Sequence, residues 1–152
     1  MKQQINKLQD ALNHFETSNP SISNRAVDWH IDHCIRIIVG VCSQLKKSDP
    51  ETFKKTFNLK RALILKSGYI PRGKAKAPKH VNTLDIINKE EVVSLINKSK
   101  SSVQEIKGLP KKAFFSHPFF GDLNLKQTKR FLEVHTNHHL KIIDDIISSK
   151  KV

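Results

Sequence analysis

His135 and His139 stand four residues apart in the stretch Phe131-Leu-Glu-Val-His-Thr-Asn-His-His-Leu-Lys-Ile-Ile-Asp-Asp-Ile-Ile147. On a helix their Cβ atoms are about 5–6 Å apart, so two imidazoles can converge on one ion; the two-histidine zinc helix of metalloproteases uses this spacing. Leu132, His135, His139, Ile142 and Ile146 share one helical stripe, and polar rings on a core-facing stripe need partners. His138 falls on the flank with Phe131 and Val134 and reads as a neighbour of the pair.

A pair of imidazoles is an incomplete site, and the segment Trp29-His30-Ile31-Asp32-His33-Cys34 offers the third ligand. His33 lies nearer the middle of its helix than His30 and is the preferred inward ligand, with His30 beside it as an outer group or pocket residue. Neutral imidazoles at His33, His135 and His139 leave a position open, which separates a catalytic zinc site from a closed structural one. No catalytic acid or base is assigned, because Asp32 and Glu133 point away from His33 and His135 by helical phase. His117, before Pro118, shapes a turn and is a further pocket candidate, whereas His14 and His80 read as surface residues. Cys34 and Cys42 are eight positions apart on one helix, about 12 Å by helical rise, too far for a disulfide; both are expected reduced and buried, and Cys34 inert.

These side chains need helices to hold them. Ile5, Leu8, Leu12 and Phe15 mark an amphipathic helix over Lys2 to Phe15. A second helix, about Arg25 to Lys47 with Ser23 or Asn24 as its cap, carries the stripe Val27, Ile31, Cys34, Ile38, Val41 or Cys42, and Leu45, with Ala26, His30, His33, Ile37 and Gly40 beside it. A short helix over Glu51 to Lys66 follows from Phe53, Phe57, Ala62 and Leu65, and then Gly68 to His80 is a loop punctuated by Gly and Pro. A helix from about Asn88 to Glu105 stops at Lys107-Gly-Leu-Pro110, and Phe114 to Gly121 forms an apolar, turn-rich approach to the histidine helix, capped by Asn124. The expected fold is all-α: one domain over residues 1–152, an up-and-down four-helix bundle with the metal site between facing helices.

The net charge of +13 favours anionic partners. Arg72, Lys74, Lys76 and Lys79 crowd the loop after Gly68 and form a candidate anion-binding group. Nucleic acid is an alternative partner, weakened because this loop offers only Tyr69 for stacking. The first residues lack a secretory signal's apolar core and no apolar run reaches membrane-spanning length, so the expectation is a cytoplasmic protein without membrane contact.

Taken together, the Trp-His-x-x-His segment and the His-x-x-x-His pair resemble the DinB-like superfamily of metal-binding four-helix bundles. Ile70-Pro-Arg-Gly-Lys-Ala-Lys-Ala-Pro78-Lys, His117-Pro-Phe-Phe-Gly121 and His135-Thr-Asn-His-His139-Leu are similar to a functionally unassigned branch of it, and the resemblance runs from about Val27 to Ile147. It implies a divalent ion, zinc or nickel, on His33, His135 and His139, and a homodimer. It also implies a small-molecule enzyme: an S-transferase using a low-molecular-weight thiol, or a hydrolase. The thiol's carboxylates would meet Arg72, Lys74, Lys76 and Lys79. The alternative is a non-catalytic, metal-stabilised protein binding nucleic acid or another acidic partner.

Overall fold

The computed structural model describes residues 1–73 and 86–149. Within them the chain is predominantly helical: α1 (Lys2–Asp10), α2 (Val27–Lys47), α3 (Leu59–Ser67), α4 (Lys89–Glu105) and α5 (Leu125–Ser148), with a hairpin of β1 (Phe114–His117) and β2 (Gly121–Asn124) before α5. Lys74, Lys76, Lys79 and His80 lie outside the described residues.

Helix ends follow local chemistry. Asn88 and Asn124 accept hydrogen bonds from the backbone N–H groups of Glu91 and Gln127, and the Gln127 side-chain oxygen accepts one from the Asn124 backbone N–H to complete a capping box. Asn58 caps α3 through the Arg61 N–H, and Gly68 ends it at φ 69°, a left-handed conformation that suits a residue without Cβ. The expected cap of α2 is corrected: Ala26 holds the N-cap position without a side-chain bond, and Ser23 turns inward to His30 instead. The helix expected over Glu51 to Lys66 is also corrected. Pro50–Thr52 is a 3-10 turn and α3 begins only at Leu59, so Phe57, read as a helix-stripe residue, is 86% exposed.

The core is one cluster in which α2 contributes Val27, Ile31, Cys34, Ile35, Ile38, Val41, Cys42 and Leu45. Ile5 and Leu8 of α1, Val92 and Ile96 of α4, and Leu132, Ile143 and Ile146 of α5 close around it. The principal contacts of α2 are with α4 and α5, and α1 packs on the same two helices. Consecutive helices α1 and α2, and α4 and α5, therefore stand across from each other, not in the side-by-side order of an up-and-down bundle. Polar ties join α2 to α4: Arg36 Nη2 donates to Glu91 at 2.7 Å while its Nε donates to both oxygens of the fully buried Asp32 at 2.9 Å, and Lys46 pairs with Glu105.

The segment expected as an irregular approach to α5 is a hairpin pairing Phe114 with Asn124 and His117 with Gly121. Its turn is closed by His117 Nδ1, which accepts the N–H groups of Phe119 at 3.1 Å and Phe120 at 3.3 Å, and by Gly121 at φ 68°. Phe115 and Leu123 bury the inner face against α5. Among the described residues no helix is long and apolar enough to cross a membrane.

Candidate metal centre

Helix α2 presents His33 and helix α5 presents His135 and His139, one turn apart, to the same interior space. One nitrogen from each lies within 4.8 Å of the others. The closest pair is His33 Nε2 and His135 Nε2 at 3.3 Å. Two nitrogens at about 2.0–2.1 Å from a tetrahedral ion are separated by about 3.3–3.4 Å, so this edge already has coordination dimensions. His139 supplies the third corner, its nitrogen within 4.8 Å of the other two.

Neighbours hold these rings. Trp29, one turn before His33, stacks on it at 4.7 Å with an interplanar angle of 8°, and Arg25 lies 5.6 Å from the Trp29 ring centre. The stack fixes the His33 plane. His139 Nδ1 is 2.9 Å from His30 Nδ1, and His30 Nε2 is 3.0 Å from Ser23 Oγ, which also accepts the Arg25 backbone N–H at 3.1 Å. One assignment of protons leaves a lone pair for metal: His139 Nδ1–H donates to His30, His30 Nε2–H donates to Ser23, and His139 Nε2 stays bare. His135 Nδ1, by contrast, is buried and has no hydrogen-bond partner among the described residues. Unlike that of His139, the tautomer of His135 is not set by a hydrogen bond at Nδ1.

Electrostatics point the same way. Burial lowers the pKa of His135 and His139 well below the ordinary imidazole value, and the surrounding histidines lower it further. His30 is pushed down to about 4, chiefly by burial and then by His33. His30, His135 and His139 are therefore neutral at pH 7, the state that ligates metal. Four imidazoles crowded into one interior cannot share positive charge cheaply without an anion or a cation-binding role to organise them.

The other expected residues divide. His30 is beside the cluster and 97% covered, bound to His139 as described. His138 is half-buried, edge-on to His139 at 5.2 Å, with its pKa lowered first by burial and then by Arg72, and bonded to the Ile70 backbone. His117 is not brought into the nitrogen cluster. Its ring stacks on Phe120 at 4.3 Å and meets Phe131 edge-on at 4.9 Å, and its bonds serve the hairpin turn. Arg72 pairs with Asp145 of α5 at 2.6 Å, which leaves it at the α5 end of the site with its charge partly spent. Cys34 is fully buried and burial holds its thiol well above the ordinary range; Cys42 is pushed up to about 11. Neither offers a thiolate near neutral pH.

Ser23 and Trp29 are the positioning residues that sequence reasoning passed over. Trp29 stands at i−4 from His33, so helical phase alone could have placed it over that ring. Ser23 gave no such signal, since a serine just before a helix reads first as a cap. The chain matches no family model, no curated protein and no solved structure.

Proposed function

We propose that the protein binds one divalent ion, zinc or nickel, through His33, His135 and His139, and that it is a DinB-like metal-dependent enzyme acting on a small molecule. The observation that carries the reading is the convergence of three imidazoles from two helices, two of them buried and one half-buried, with one pair already 3.3 Å apart. Three ligands leave a coordination position for substrate or water. A bound divalent ion supplies Lewis acidity there and lowers the pKa of a coordinated water or thiol.

The chain's own groups divide the remaining work. Trp29 holds the plane of His33, and the Ser23–His30 chain sets the proton on His139. Arg72, near the C-terminal end of α5, is the described cation placed to meet a carboxylate approaching past His138. This favours an anionic substrate, and a low-molecular-weight thiol in an S-transfer reaction fits it; hydrolysis of a carboxylate-bearing substrate uses the same groups.

Elemental analysis of protein purified without an affinity tag tests the metal. One equivalent in the wild type and none in His135→Ala or His139→Ala is expected, and stoichiometric metal in both variants overturns the site. For the reaction, titration of cellular thiols into nickel- or cobalt-loaded protein should perturb its visible spectrum, and less so in Arg72→Ala. No response to any thiol leaves hydrolysis as the reading.

A further inference from the structure

We propose that the groove between α3 and the first turns of α5 docks an acidic, amphipathic helical segment of another protein. The inference is independent of the metal centre. It rests on where the molecule leaves apolar surface uncovered and cations unpaired.

Large exposed apolar side chains among the described residues are Phe57, Leu59, Leu63, Tyr69, Ile86, Val93 and Phe119. Five of them surround α3: Phe57 precedes it, Leu59 and Leu63 lie on it, Tyr69 follows it, and the Phe119 carbonyl accepts the Asn58 cap amide at 3.0 Å. A gathering of this kind, not scattered single residues, marks an interaction surface. The groove itself, with a volume of about 680 Å³, has Phe57, Ala62 and Leu65 as its apolar floor. Lys55, Lys66, Lys126 and Arg130 stand around that floor and no acidic side chain lines it. Lys55, Lys66 and Lys126 have no carboxylate within ion-pair reach among the described residues, and the sequence has no Asp or Glu between positions 52 and 84.

The groove is preformed. Arg61 is buried with its guanidinium donating to the carbonyls of Phe120 at 2.8 Å, Asp122 at 3.3 Å, and Thr56, which pins α3 to the hairpin. Arg130 Nε donates to the Leu65 carbonyl at 3.0 Å and pins α3 to α5. Helix α3, nine residues and about 13 Å long by helical rise, can lie alongside two turns or more of a partner helix, whose apolar anchors recur at i, i+3 or i+4, and i+7. Acidic residues beside those anchors would meet the lysines.

Other occupants fit less well. A second copy of a chain carrying +13 is repelled. A membrane meets convex surfaces, and this one is concave. Single-stranded nucleic acid needs successive aromatic platforms, and Phe57 is the one aromatic in the groove lining.

The test uses the full-length protein and a fluorescein-labelled peptide of roughly 18 residues, leucine at the anchor spacing and glutamate on the other face. A control has the same composition with the leucines scattered. Saturable binding is expected, at least about tenfold tighter than the control and weakened at least about tenfold by Lys66→Glu with Lys126→Glu, and by Phe57→Ser. Amide shifts in the wild type should be confined to α3, its flanks and the first turns of α5, a readout that needs no variant. Equal binding of the control reduces the surface to bulk charge and overturns the proposal. So do shifts elsewhere, or an oligothymidylate or phosphatidylserine-containing vesicles binding through Phe57 and Lys66 while the peptide does not.

Discussion

The two ends of α5 are built on opposite rules. At its middle and C-terminal half, polar rings are taken inside: His139 is 8% exposed and its neighbour His30 is 3% exposed, and each nitrogen contact is met by another imidazole or by Ser23. At its N-terminus the reverse holds, with apolar Phe57, Leu59 and Leu63 left in water and lysines left without carboxylates. Burying an imidazole costs free energy and leaving a leucine outside forgoes it. A fold that does both within one helix length fits both proposals, a histidine cluster that could hold an ion at one end and a docking groove at the other.

The contrast can be broken from either side. The largest effect is expected at His30, whose loss removes the chain that sets the His139 proton. His30→Ala should lower zinc affinity by about 10- to 100-fold, as loss of an outer-shell partner does. Ser23→Ala should lower it less. A competitive chelator titration reads both, and an unchanged affinity in His30→Ala would mean that His139 needs no orientation.

Acid stability comes next. Burial pushes His117 down to about 4, against an ordinary value of 6.5. As pH falls through 6.5 the unfolded chain takes up a proton that folded His117 refuses until about 4, so stability is lost across that window and is unaffected above it. Asn at 117 can still accept the turn's N–H groups without titrating. The urea midpoint of His117→Asn should fall less between about pH 7 and pH 5 than that of the wild type, with the difference vanishing above about pH 7.

Smaller still, Asn124→Ala removes the cap that starts α5 and should cost about 1 kcal/mol, a fall of about 2–4 °C in thermal midpoint. The smallest effect belongs to the exposed face of α3. Leu63, 59% exposed, should tolerate Leu63→Ser within about 0.5 kcal/mol, since most of its side chain is already in solvent.

Much of this was legible in the residues. Asn88 and Asn124 as caps, the buried stripe of α2 and the face shared by His135 and His139 all follow from side-chain chemistry and helical phase. The hairpin was not legible, because four-residue strands around Pro118 carry too little alternation to outweigh a turn reading. Phe53 and Phe57 failed for the opposite reason: their spacing imitates a helix face, but helix geometry starts only where Asn58 caps it. Helix order was hidden too, since connection lengths between α1 and α2 and between α4 and α5 permit either a side-by-side or a crossing path. Ring pairing such as His30 with His139 joins residues more than a hundred positions apart and exists only once α2 and α5 are docked.

His33, His135 and His139 are proposed to hold one ion while His138 and His117 stand aside. Nitrogen NMR of imidazole-labelled, metal-free protein during zinc addition tests it most directly. Saturation at one equivalent is expected, with ligation shifts on one ring nitrogen each of His33, His135 and His139, a smaller change at His30, and none at His117. Ligation shifts at His138 or His117, or continued shifting without saturation at one equivalent, would contradict it.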